Sequence, residues 1–246
     1  MRVRTSLLAA ACAFVAACSS SGGGGDATAR TTPAADYAPH IDAASFSTRI
    51  NNRYFPLVPG LTYVYEGTSD GKPERNDITI THDTKKVALG VTCVVVHDVV
   101  YVGGVKEEET YDWYAQDSAG AVWYFGEDSK EFRPDGTVKS TAGSWEAGVN
   151  GAQPGVVMPA HPTVGSTFRQ EYRRGVAEDL AKILQTGTTV SVPLSTYKDA
   201  IVTKDYTPLE PDQVERKTYA PGVGFVQSDM IRGGKEHVEL VRVISS

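Results

Sequence analysis

Val91-Thr92-Cys93-Val94-Val95-Val96-His97-Asp98-Val99-Val100-Tyr101-Val102 runs into Gly103-Gly104 and then into Val105-Lys106-Glu107-Glu108-Glu109-Thr110-Tyr111-Asp112-Trp113-Tyr114-Ala115-Gln116-Asp117. β-Branched and aromatic residues crowd both arms, which reads as two strands. The glycine pair supplies the positive φ angles of a two-residue turn whose twist matches the strands it joins. This is a β-hairpin, and it sets a register. Val102 falls opposite Val105, His97 opposite Thr110 and Val95 opposite Asp112.

The pattern continues in both directions. Asp117-Ser118-Ala119-Gly120 fits a type I turn closed by a left-handed glycine and leads into Ala121 to Gly126. That turn places Trp113 opposite Phe125 and Tyr114 opposite Tyr124. Arg133-Pro134-Asp135-Gly136 repeats the same chemistry. Upstream, Leu61 to Tyr65 and Ile78 to Thr81 alternate around Asp70-Gly71. Downstream, strand character recurs at Phe168 to Arg173, Val190 to Val192, Ala200 to Tyr206, Val214 to Tyr219, Gly224 to Ser228 and Val238 to Val243. Val176 to Leu184 fits either an amphipathic helix or strand alternation, and strand is preferred because Arg174-Gly175 can turn a hairpin before it. With no βαβ alternation, the expected class is all-β: a mainly antiparallel sheet, curled or closed into a barrel-like meander, with few short helices.

The N-terminus carries a different signal. Arg2 and Arg4 precede a short apolar run, Leu7 to Val15, that ends in Val15-Ala16-Ala17-Cys18. This is an export signal, too short for a stable span. Its last four residues resemble the lipobox of bacterial lipoproteins, and the resemblance implies a signal peptide over 1–17, cleavage before Cys18 and lipidation of Cys18. Two or more acyl chains anchor stably where one does not. Ser19 to Gly25 and the Ala- and Thr-rich run after it have little to bury, so 18–50 is read as a flexible tether and 51–246 as a single β-rich domain. Ser19 rather than Asp after the cysteine fits outer-membrane transport if the organism is Gram-negative. The expected location is the cell envelope, with the membrane reached through Cys18.

Composition narrows the function classes. The chain has 246 residues, 41% hydrophobic, enough for one sizeable core. Its net charge is −6, and loss of Arg2 and Arg4 takes it to −8 with no basic block downstream, which argues against nucleic acid. Three cysteines, two of them before residue 19, build neither a disulfide framework nor a Cys-rich metal site. His40, His82, His97, His161 and His237 show no metal-ligand spacing. Glu107, Glu108 and Glu109 alternate sides on a strand and are read as solvated charge rather than a triple ligand. No phosphate loop, dinucleotide fingerprint or nucleophile elbow is present, so no cofactor and no metal is expected.

Four segments, Tyr54-Phe55-Pro56-Leu57-Val58-Pro59-Gly60, Tyr111 to Asp117, Val122 to Asp128 and Ser144-Trp145-Glu146-Ala147-Gly148, resemble a family of uncharacterised bacterial lipoproteins and secreted proteins. The resemblance spans about Asn51 to Val243 and implies architecture and location, with no catalytic residue to carry over.

Period-two alternation puts Val94, Val96, Val100, Tyr111, Trp113, Trp123 and Phe125 on one face, expected to be core. The other face collects Cys93, His97, Thr110, Asp112, Tyr114, Gln116 and Tyr124. Of these, His97, Thr110, Asp112, Tyr114 and Tyr124 are the candidate lining of a concave ligand site. The Gly148 to Gly165 loop is a candidate recognition element, and Tyr54 to Leu57 a plug anchoring the first strand. The leading functional expectation is a non-catalytic, lipid-anchored β domain that binds a small or lipid-like ligand or an envelope partner. The alternatives are a structural or assembly lipoprotein that contacts a protein partner, and a hydrolase using dispersed carboxylates such as Asp112 and Glu127.

Overall fold

The computed structural model describes residues 37–245. In chain order the strands are β1 (Phe46–Ser47), β2 (Ile50–Asn52), β3 (Phe55–Leu57), β4 (Leu61–Ser69), β5 (Lys72–Lys86) and β6 (Thr92–Val102). Then come β7 (Val105–Asp117), β8 (Val122–Phe132), β9 (Val138–Ser140), β10 (Trp145–Glu146), β11 (Gln153–Met158) and β12 (Thr167–Arg169). The last are β13 (Glu171–Tyr172), β14 (Leu180–Val192), β15 (Ser195–Tyr206), β16 (Val214–Ala220), β17 (Gly224–Arg232) and β18 (Glu236–Ser245). Among the described residues the helical content is one 3-10 turn, Ala43–Ser45.

The main sheet is antiparallel and runs β14-β15-β16-β17-β18-β4-β5-β6-β7-β8-β11. One segment brings its two ends together. β12 pairs with β14 at Thr167, Phe168 and Arg169, and β13, one residue later, pairs with β11 at Glu171 and Tyr172. The sheet is therefore nearly closed into a barrel, and residues 167–172 are its seam. The ordered fold starts before Asn51, inside the stretch assigned to the tether: Phe46 meets Trp123 and Phe125 edge-on at 6.0 and 5.2 Å, and Ile50 is buried.

The expected turns are in place. Asp70 and Gly71 carry positive φ between Ser69 and Lys72, and Gly103 and Gly104 do so between Val102 and Val105. Gly120 donates its N–H to the Asp117 carbonyl at 3.0 Å. Arg174 and Gly175 turn the chain between the bridged Arg173 and Ala177, and β14 settles Leu180 to Leu184 as strand. Tyr54 to Leu57 is the plug it was read to be. Phe55 enters one end of the barrel, against Tyr114 at 5.4 Å and Tyr219 at 6.4 Å.

The register of the deciding hairpin differs from the expectation by one residue. Beyond the turn, Tyr101 pairs with Lys106 but Val100 pairs with Glu108, so Glu107 is an extra residue in a β-bulge. His97 therefore lies opposite Tyr111 and Val95 opposite Trp113. A one-residue slip exchanges faces. Val94, Val96 and Val100 share the barrel interior with Asp112 and Tyr114, while Trp113 lies on the outer face, buried beneath Lys85, whose ammonium stands 4.0 Å from the ring centroid. A second bulge in β8 sets Asp112 opposite Glu127 and Tyr114 opposite Tyr124. Gly126 is required there: its φ is +131°, and a Cβ would come within 2.3 Å of the Trp145 carbonyl oxygen.

Candidate functional site

The barrel interior divides along its axis. At the plug end it is aromatic: Tyr65 packs on Phe225 at 4.9 Å and donates its hydroxyl to the Phe225 carbonyl at 3.0 Å. Toward the other end the inward positions turn acidic. Alternation delivers Glu108, Thr110, Asp112 and Tyr114 from β7, Tyr124, Glu127 and Ser129 from β8, and Glu171 from β13. Asp179 precedes β14, Asp205 comes from β15, and Glu215 and Lys217 come from β16. All are buried, and Lys217 is the one cation in this set.

Four of the five candidate ligand residues meet here. Thr110, Asp112, Tyr114 and Tyr124 are all inaccessible to solvent. The Tyr114 and Tyr124 rings stack at 4.9 Å, and the Tyr124 hydroxyl donates to Asp112 Oδ1 at 2.6 Å. Thr110 bonds to Glu108 and to Ser129, each at 3.1 Å. His97 is separated from them. The Glu107 bulge puts it on the outer face, stacked on Tyr111 at 4.4 Å and hydrogen-bonded to Glu109 at 2.9 Å. Cys93, on the same outer face, is buried, and burial pushes its thiol well above the ordinary range, which keeps it inert.

The expected open concavity is a filled interior. A cleft of about 20 Å³ lies beside Phe55, Tyr63, Tyr65 and Phe225, with room for little more than a water. A depression of about 560 Å³ is lined by Glu66, Arg75, Asp77 and Tyr101. Thr110, Asp112, Tyr114 and Tyr124 line neither.

Residues from distant strands complete the acidic set. Trp145 Nε1 donates to Glu171 Oε2 at 2.9 Å, and Lys217 lies 3.2 Å from Glu215 and 3.6 Å from Asp205. Asp205 also accepts from Thr203 at 2.5 Å and Gln170 at 3.4 Å. Asp112 Oδ2, Glu171 Oε1 and the Tyr114 hydroxyl have no hydrogen-bond partner. Burial, reinforced by neighbouring carboxylates, holds Glu108, Asp112, Glu127, Glu171 and Asp179 well above the usual carboxyl range. For Asp112 the added neighbour is Asp98, opposed by the Tyr124 hydrogen bond; for Asp179, the Thr207 hydroxyl and Lys217 pull the other way. These groups can store protons and hold hydrogen bonds. Among the described residues, no three His, Cys, Asp or Glu side chains form a group that could hold a metal ion.

In the sequence, Glu127 stands out as the dispersed partner of Asp112 in the hydrolase alternative. The others, Glu171, Asp179, Asp205, Glu215 and Lys217, went unread because their grouping depends on barrel closure. The available signal was Glu215-Arg216-Lys217, an acid and a base two apart on a strand and so on one face.

Neither a protein-family model nor a curated protein matches the chain. Two solved structures are similar in fold. One is an exported protein of YmcC-like fold from Bacteroides fragilis, at 15% identity and a TM-score of 0.46, covering 78% of this chain and 99% of that one. The other is a lipoprotein from Parabacteroides distasonis, at 11% identity and a TM-score of 0.41, with the same coverage. Both designations are provisional.

Proposed function

We propose that this chain is a lipid-anchored domain of the bacterial cell envelope, on the outer membrane where the organism is Gram-negative, with a binding rather than a catalytic role. The observation that carries it is Val15-Ala16-Ala17-Cys18 at the end of a short apolar run, followed by a Gly- and Ser-rich stretch. Cys18 lies outside the described residues. The folded body that follows is acidic, which suits a small or lipid-like ligand with a cationic head, or an envelope protein partner, better than nucleic acid. Within it, Asp112, Tyr114, Tyr124 and Thr110 are the residues we assign to ligand contact, reached when the barrel admits the ligand. His97, on the outer face, is left out of that set.

Cys18→Ala tests the anchor. The variant is expected to lose the acylated N-terminal peptide in mass spectrometry and to leave the membrane fraction. A variant still membrane-bound after a high-salt wash refutes the reading. Native mass spectrometry of protein purified from its own envelope tests the ligand: a bound small molecule supports it, and a co-purifying envelope protein with no small molecule favours the assembly alternative.

One contact favours a second reading. Asp112 and Glu127 face each other across β7 and β8, as an acid and base pair of a hydrolase would. That reading requires Asp112→Asn and Glu127→Gln each to abolish turnover of a glycoside or ester substrate by the folded protein.

A further inference from the structure

The barrel is closed by its weakest ladder, and the buried acids gather beside that ladder. Residues 167–172 touch β14 at three register positions and β11 at two. One of those two is Pro154 opposite Glu171, and proline has no N–H to give. By contrast, β5 and β6 pair at ten positions and β4 and β5 at eight. The short ladder carries Glu171, whose side chain points inward and is fully buried, and the Gln170 N–H donates to the Asp179 carbonyl at 2.8 Å.

We propose that residues 167–172 form a proton-sensitive seam: it stays closed while Glu171 and Asp179 keep their protons, and it parts from β11 when they lose them. The inference goes beyond the anchor and ligand reading and needs neither. The charges around the pair fix the direction. Glu171 faces Glu127 from β8, Asp112 from β7 and Asp179, with Trp145 of β10 as its one neutral donor. Asp179 faces Glu171, Glu215 of β16 and Asp205 of β15, with Lys217 and the Thr207 hydroxyl on its favourable side. Lys217 is already engaged by Glu215 and Asp205, so it cannot compensate all the acids at once.

The flanking cations point elsewhere. Arg169 lies over the Tyr172 ring at 4.9 Å and donates to the Glu178 carbonyl, Arg173 donates to the Ser144 carbonyl at 2.8 Å, and Glu178 accepts from the Gly175 N–H. Each proton lost therefore adds a buried like charge where the backbone has least to hold it. Parting of the seam hydrates Glu171 and Asp179 and exposes Asp112, Tyr114 and Tyr124 without unzipping the longer ladders.

Hydrogen-exchange mass spectrometry of the full chain between pH 5 and pH 8 tests this, with each rate corrected by the intrinsic rate of an unstructured peptide of the same sequence. Seam peptides covering 167–172 are expected to lose protection about tenfold per pH unit for each proton released on opening, and to exchange faster at every pH than Val94 to Val100 in β6, whose protection follows the global unfolding free energy. In the double variant Glu171→Gln, Asp179→Asn the seam profile is expected to flatten. A flat wild-type seam, a seam protection equal to that of β6 at every pH, or an unchanged slope in a folded double variant each overturns the proposal. Should the double variant not fold, the wild-type contrast between seam and β6 decides alone.

Discussion

Replacing Tyr114 and Tyr124 by phenylalanine, one at a time, should move stability in opposite directions. Both rings are fully buried and stacked on each other at 4.9 Å, so either substitution keeps the packing and deletes one oxygen. The oxygens differ. Tyr124 donates to Asp112 Oδ1 at 2.6 Å, and Asp112 Oδ2 has no partner, so Tyr124→Phe strips the carboxyl of its side-chain donor. A buried group left unsatisfied in this way costs about 1–3 kcal/mol. The Tyr114 hydroxyl has no partner, so Tyr114→Phe removes a polar atom that folding had desolvated without return. Its expected effect is neutral to a gain of roughly 1 kcal/mol, by the same accounting. Urea unfolding at pH 6 reads both, provided the slope of free energy against urea matches wild type. A slope of about 2 kcal/mol/M would place the Tyr124→Phe midpoint roughly 0.5–1.5 M lower. A cost of about 1 kcal/mol or more for Tyr114→Phe, or no cost for Tyr124→Phe, refutes the assignment of donor and orphan.

Two further outcomes follow from the same interior. Lys217→Met leaves Glu215 and Asp205 without their cation and should cost about 3–5 kcal/mol at pH 7, less at pH 4.5 where Glu215, whose carboxyl burial pushes up, takes up a proton; an equal cost at both pH values in urea unfolding counts against the ion-pair reading. Wild-type stability should fall as pH rises above the ordinary carboxyl range. Glu108, Asp112, Glu127, Glu171 and Asp179 hold protons in the fold that the unfolded chain releases, so their contribution is complete below about pH 4 and declines by about 1.4 kcal/mol per pH unit for each group still protonated. Glu109 and Asp135, whose carboxyls are held below the usual range, act in the opposite sense, but neither belongs to the buried set. Guanidinium unfolding at pH 4.5, 6 and 7.5 checks the sign, and a stability that rises across that series is the contrary result.

Local chemistry made the strands and turns legible. Gly103-Gly104, Asp117 to Gly120 and the Tyr54 to Leu57 plug each depend on residues within a few positions, and each is where the sequence places it. The bulge at Glu107 left no such mark, because three consecutive glutamates look alike whichever is extra. Gly126 did leave one: a glycine inside a strand signals a bulge or a close backbone approach, and here it is both. The grouping of four of the candidate residues is legible for the same reason. Thr110, Asp112 and Tyr114 lie on one strand past the bulge, where parity holds, and Tyr124 follows through a correctly read turn, whereas His97 lies across the bulge. Inside and outside were exchanged because the outer face is also covered: Phe46 lies over Trp123 and Phe125, and Lys85 over Trp113. Apolar residues on both faces of a strand remove the contrast that alternation needs.

An aromatic cluster and long strand ladders offset the cost of keeping so many carboxyls inside the barrel. Folding is carried where Phe55, Tyr65, Tyr219 and Phe225 pack together and where β4, β5 and β6 pair over their long ladders. Glu108, Asp112, Asp205 and Glu215 lie on β7, β15 and β16, which pair with their main-sheet neighbours at six to nine positions, whereas Glu171 lies on the two-position ladder that closes the ring. Ionisation of Glu171 acts where the ring is closed by the fewest pairs. In the proposed opening, Glu171 and Asp179 are the carboxyls whose ionisation parts the seam, and Asp112 and Tyr124 are buried neighbours of Glu171.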